Sequence, residues 1–320
     1  MMYDVVTMGS ATADVFVNTH TKEVRGRLQY PTGTKILIRD ISFHTGGCGV
    51  NTAISMRSLG CKTGFLGKIG NDENGKRVLK TLKKHKIKFL GAVGKEITGY
   101  SIILDSMEHN RTILHYKGAN NTLDFGEIKR GSLSTKWLYM SSMLGKSFAT
   151  EKKLASMAKE KGIRIAYNPG IDDARGGRKR IGGILKASDI LILNREEANI
   201  LSGKKGVTRV MKALLSMGPD VVCITDGGRK AYCCDRQFYY SMMPHKVKIK
   251  ERTGAGDAFA GGFMSGMIKT GDIEFSMQLG LANSESVIQQ FGATNKILTQ
   301  EEALKELKKR PGRVVKSRLG

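Results

Sequence analysis

Neither a disulfide framework, a zinc motif nor a membrane span can be read in this 320-residue chain. Its five cysteines (Cys48, Cys61, Cys223, Cys233, Cys234) form no Cys-x-x-Cys, and an odd count in a long chain argues for reduced thiols. The six histidines are scattered, with no His-Glu-x-x-His and no cluster at ligand spacing, so no structural zinc is expected. No apolar run approaches the ~20 residues that cross a bilayer. The opening Met1-Met2-Tyr3-Asp4-Val5-Val6 reads as a buried strand and not an export signal, so a soluble, cytoplasmic protein is expected. Acidic residues are also scarce: 29 against 53 Lys plus Arg leaves a net charge of +24, enough to attract polyanions. That surplus is spread over residues 76–88, 152–164, 175–186 and 305–318, on helix-like segments without an RNA-binding aromatic signature. A solvated surface is therefore expected, and no nucleic-acid partner.

Two familiar phosphate loops are lacking as well. Gly70-Asn71-Asp72-Glu73-Asn74-Gly75-Lys76 fits the first seven positions of a Walker A loop, but Arg77 stands where a Ser or Thr would hold magnesium, and Asp72 and Glu73 would repel phosphate. It reads as a turn leading into a helix with an acidic first turn. Gly9-Ser10-Ala11 after the first strand lacks Gly-x-Gly-x-x-Gly spacing, which sets aside a dinucleotide fold.

Apolar runs do alternate with amphipathic segments. Strands are expected at 4–8, 63–68, 137–141, 164–168, 189–193 and 221–225, and helices at 51–59, 75–85, 150–161, 177–186, 195–202 and 207–217. This is the pattern of an α/β, doubly wound, mainly parallel sheet flanked by helices, with its site beyond the carboxyl ends of the strands. Two regions, about 15–44 and 98–117, break the alternation. They carry short β-type runs (35–38, 101–104, 112–116) that suit a separate small sheet. Residues 1–310 read as a single domain, and 311–320 as a frayed basic tail.

The chemistry concentrates in Arg252-Thr253-Gly254-Ala255-Gly256-Asp257-Ala258-Phe259. Gly254 and Gly256 allow a sharp turn that brings N–H groups to an oxyanion, and the helix that follows points its positive end into the same pocket. Asp257, at that helix start, is placed to take a proton from an attacking hydroxyl. A Gly-rich turn with Asp257 merely capping a packed helix is the alternative.

Gly46-Gly47-Cys48-Gly49-Val50-Asn51-Thr52-Ala53, with Gly60 and Gly70, together with the Gly-Ala-Gly-Asp turn some two hundred residues later, resembles the two signatures of the PfkB (ribokinase-like) carbohydrate kinases. The second departs from the family just before Thr253, where Glu251 and Arg252 replace the usual Asp and small residue. Asn194-Arg195-Glu196-Glu197, Thr225-Asp226-Gly227-Gly228, Ala282-Asn283 and Gly292-Ala293 are similar to further family elements, and Gly9 to Asp14 to its first strand and sugar-binding aspartate. The likeness spans residues 3 to 310.

The resemblance implies ATP-dependent phosphorylation of a sugar hydroxymethyl group, with a small β-sheet lid over the sugar and a homodimer formed through it. Asp257 would be the base and Gly254, Ala255, Gly256 and Asp257 the anion hole. Asp14, Gly46, Gly47 and Asn51 would hold the sugar, and Asn194, Thr225, Gly227 and Asn283 the nucleotide. Glu197 would hold Mg2+ through water, with K+ as a further cation although Glu251 departs from the pattern. From the residues alone Asp14 also suits a turn, Asn51 and Asn283 a polar surface, Thr225 a strand exit, and Asn194 with Glu197 a helix cap. Asn168-Pro169-Gly170 is similar to a sugar-kinase segment, and a free sugar such as ribose is the expected acceptor, with a nucleoside as alternative. A phosphosugar, met by Arg111 or His109, ranks lower, as does a non-catalytic nucleotide- or RNA-binding protein. For a nucleoside, Phe43, Tyr100 and Tyr116 would stack on the base.

Overall fold

The computed structural model describes residues 2–107, 111–129 and 133–319. Adjacent apolar pairs such as Val5/Val6 and Tyr139/Met140 send one side chain to each face of a central sheet, which is why its strands read as near-continuous apolar runs. That sheet has ten strands, in the order Lys88–Phe89, Thr63–Leu66, Tyr3–Met8, Thr135–Ser141, Arg164–Asn168, Ile190–Asn194, Val221–Thr225, Ala231–Cys234, Phe238–Met242 and Val314–Arg318. Pairing is parallel as far as Val221–Thr225 and antiparallel over the last three strands. One face packs Leu138, Tyr167 and Leu191 against Leu154, Ile184, Leu201 and Met211 of the covering helices. The other packs Trp137, Tyr139 and Ile192 against Phe259, Phe263, Met264 and Met277 of the Ala255–Thr270 and Ile273–Val287 helices. Tyr3–Met8 has Thr63–Leu66 on one side and Thr135–Ser141 on the other, so the strand order reverses there and opens a crevice at its carboxyl end.

A second, separate sheet of four strands, ordered Asp40–Gly46, Thr12–Thr21, Gly99–Ser106 and Arg111–Tyr116, stands where the lid is expected. The run expected at 35–38 is not a strand. Pairing with Thr12–Thr21 is instead taken by Asp40–Gly46, from Thr12 opposite Gly46 to Asn18 opposite Asp40, and Leu37 is left 88% exposed. Ile41 and Phe43 alternate with Ser42 and His44 in that strand, giving the period of two that 35–38 lacks.

Two other expectations need correction. The segment after Arg310 is no frayed tail: Val314–Arg318 pairs with Phe238–Met242, and the Lys316 ammonium sits 4.3 Å from the Phe238 ring centre and 5.3 Å from that of Tyr240. The helix expected at 177–186 begins earlier, as Ile171–Ala187, and kinks at Gly177 (φ 59°). The stretch 70–76 forms the start of the Glu73–Lys84 helix, capped by Asp72, which accepts from Gly75 N–H at 2.7 Å and ties down Thr98 at the entrance to the lid.

Candidate active site

Asp14 lies on the lid strand Thr12–Thr21 and Asp257 opens the Ala255–Thr270 helix of the body, and the crevice brings both to the Cys48–Ser58 helix. Asn51, in the first turn of that helix, donates from Nδ2 to Asp257 Oδ2 at 2.8 Å, across 206 residues of sequence. Its Oδ1 is buried without a partner among the described residues. A buried amide oxygen left open beside a carboxylate is costly unless a ligand donor meets it. Two glycines make this approach feasible. A Cβ on Gly46 would overlap the Asp14 carboxylate, and Gly47 takes φ 94° against the Ser10 carbonyl.

The carboxylates are tuned by burial. Asp257 is partly open to the cleft yet closely ringed by protein, and its pKa rises to about 6: burial pushes it up, Asp14 adds repulsion, and the Asn51 amide pulls it back. The helix dipole alone therefore does not set its charge, although it is largely ionised at neutral pH. Burial also raises Asp14, offset by the Thr12 hydroxyl at 2.7 Å, the Ser101 hydroxyl and the neighbouring His44. Tyr139, wholly buried, is raised far above the ordinary phenol, first by burial and then by Asp257.

Gly254 caps the Ala255–Thr270 helix at φ 81°, where a Cβ would meet Ala293 at 2.6 Å. By helix geometry the first amides have no carbonyl one turn earlier inside the helix; Ala255 N–H makes only a long 3.3 Å turn bond to Arg252 O. The root of the turn is held by Glu251. Its Oε1 accepts from Arg252 N–H (2.7 Å), Thr253 N–H (2.8 Å), the Thr253 hydroxyl (2.7 Å) and Arg111 Nη1 (3.0 Å).

On the other side of the cleft, Asn194 and Thr225 end adjacent parallel strands and face each other in the register. Asn194 and Glu197 form a reciprocal cap, with Asn194 Oδ1 accepting from Glu197 N–H at 2.9 Å and Glu197 Oε2 from Asn194 N–H at 3.0 Å. Burial raises the Glu197 pKa against the pull of those Asn194 bonds, with Glu196 and Asp173 adding to the rise. Gly227 turns the chain after Thr225 at φ 56°. Asn283 is not on this side in any open position. It is fully buried, donates from Nδ2 to Ser55 Oγ and Ala258 O at 2.8 Å, and accepts from Leu298 N–H at 3.1 Å. All its amide groups are used inside the protein, so it is a strut between helices and not an adenine contact.

The lid register corrects further expectations. Asp14 pairs with His44 and with Ser101, and Ser101 with His115, so these four side chains form one row on the face turned to Asp257. Phe16, two residues on, shares that face and meets the His44 ring edge-on at 5.3 Å. Phe43, Tyr100 and Tyr116 belong to alternate positions and therefore to the opposite face, away from Asp14, where they cannot stack on a base. Arg111 is committed to Glu251 and offers no free cation to a phosphosugar, and His109 lies outside the described residues. Sequence reasoning missed Thr12, His44, Ser101 and His115; only Thr12, two residues before Asp14 in a strand, left a local signal. It also missed Asn120, whose side chain bonds both polar backbone groups of Ala11 at 2.9 Å and fixes the bend leading to Asp14.

A doubly wound body, a β-sheet lid and a carboxylate at an open helix start define a kinase of alcohol-bearing small molecules. The chain belongs to the pfkB family of carbohydrate kinases, whose sequence profile matches residues 2–300, and ATP is the co-substrate of such kinases. It is similar to an uncharacterized sugar kinase of Archaeoglobus fulgidus, 27% identical over 75% of this chain and 96% of that one. A cytidine kinase of Thermococcus kodakarensis is 25% identical over 91% and 98%. In fold it is similar to the ribokinase of Thermotoga maritima, with a TM-score of 0.83 over 96% and 99% of the two chains at 21% identity.

Proposed function

We propose that this kinase transfers the γ-phosphoryl group of ATP to a hydroxymethyl group of a free sugar, ribose being the type of acceptor it suits. The Asn51–Asp257 contact carries the reading: it sets a carboxylate with a pKa of about 6 beside an unpartnered amide oxygen and the open start of a helix. Asp257 takes the acceptor proton as the hydroxyl oxygen bonds to the γ-phosphorus and the bond to the ADP oxygen breaks. The amides from Gly254 to Asp257 receive the charge on the transferring group. Asn51 Oδ1 and Asp14 accept from sugar hydroxyls, within the frame held by Gly46 and Gly47. Asn194, Thr225 and Gly227 line the nucleotide. Glu197 Oε2 accepts from the Asn194 N–H in the cap, and the carboxylate at this helix start suits a water of hydrated magnesium, which would neutralise phosphate charge. A potassium requirement has less support, because Glu251 already carries Arg111.

A free sugar is favoured over a phosphosugar because Arg111 is taken, and over a nucleoside because Phe43, Tyr100 and Tyr116 lie on the far face of the lid. The nucleoside reading stands second, supported by the cytidine kinase relative. That far face exposes Ile41 (46%), Phe43 (55%), Leu114 (53%) and Tyr116 (56%), an apolar surface suited to a homodimer through the lid. Five free cysteines suit a reducing location such as the cytoplasm. ATP consumption across free sugars, phosphosugars and nucleosides tests the reading. The highest kcat/KM is expected with a free pentose, and a nucleoside preference would overturn that choice.

A further inference from the structure

Glu251 is 6% exposed and sits in the body, whereas Arg111 begins the outermost lid strand, Arg111–Tyr116, and reaches it from the other sheet. Four donors on one carboxylate oxygen mark a full negative charge, and three of them are the backbone and hydroxyl groups that shape the turn before Gly254. We infer that Arg111 is a positioning residue, a tethered cation that couples closure of the lid to order in the anion-hole turn. Lifting the lid would take the counter-charge from a carboxylate that three body-side donors still hold in place, and a buried carboxylate left alone is costly. The turn then loosens with the lid. The amides that stabilise the transferring phosphoryl group are thus fully arranged only when the lid is down over the cleft, which limits transfer to water. The coupling rests on the kinase reading for its catalytic meaning, but the latch itself is a property of the free protein.

Hydrogen exchange on the free, full-length protein tests it without any substrate. Arg111→Ala should speed exchange at the Arg252 and Thr253 amides and along residues 112–116 by about tenfold or more, with Arg111→Lys between. In turnover, Arg111→Ala should lose about tenfold or more in kcat with little change in the KM for ATP, and millimolar guanidinium should restore part of that loss while leaving the unaltered enzyme unaffected. Glu251→Gln should behave alike, and the double variant should be no worse than the worse single one, since both changes cut one contact. Unchanged exchange at Arg252 and Thr253, or losses that multiply in the double variant, would overturn the latch. If the unaltered protein turned over no acceptor while Arg111→Ala still loosened the turn, the kinase reading would fail and the latch would stand.

Discussion

Around Asp257 the contacts join segments far apart in sequence, Asn51 to Asp257, Asn283 to Ser55 and Ala258, Asn120 to Ala11, whereas around Asn194 the bonds close within one helical turn. The proposed acceptor side of the cleft is thus made by tertiary packing and the proposed nucleotide side by local capping. Damage on the first side should reach the fold or the chemistry as a whole. Damage on the second should stay where it is made.

The sharpest way to break this contrast is Asp257→Asn. It should keep the fold and ATP binding yet lower kcat by about 10²–10⁴-fold, read by single-turnover assay beside a thermal melt; near-normal turnover would remove Asp257 from the base role. The same group sets a pH limb. As the proposed base, Asp257 must be ionised, and its pKa lies at about 6, so kcat/KM should be flat above that pH and fall about tenfold per unit well below it. Gly46→Ala should come next: the added methyl overlaps the Asp14 carboxylate, and acceptor KM should rise about tenfold or more with ATP KM unchanged.

Smaller effects compare the two asparagines directly. Asn283→Ala leaves Ser55, Ala258 and Leu298 without their shared partner and should cost about 1–3 kcal/mol in a denaturant titration, with KM for ATP unaltered. A large rise in that KM without loss of stability would return Asn283 to the nucleotide. Asn194→Ala removes only a cap, worth about 1 kcal/mol, and its kinetic effect should be confined to ATP.

Much of this was legible because the relevant signals are local. Alternating apolar runs announced the parallel strands, and Gly254 with Gly256 and Asp257 announced the helix start, each within a few residues. What was missed depends on register. Whether Tyr116 or His115 shares the face of Asp14 turns on a one-residue offset across three strand pairings, and a stretch rich in tyrosine and phenylalanine reads alike on either face. Asn283 looked polar and therefore available, but its amide is matched by groups contributed by three other segments. Glu251 looked like a variant of a shorter acid, and its partner lay 140 residues away.

The strand Val314–Arg318 has a practical consequence for anyone handling the protein. It lies along Phe238–Met242, whose Phe-Tyr-Tyr run would otherwise be an open, sticky border, and it presents Lys316 and Arg318 at the margin of the sheet. Removing those residues to tidy a purification would uncover that border and invite self-association.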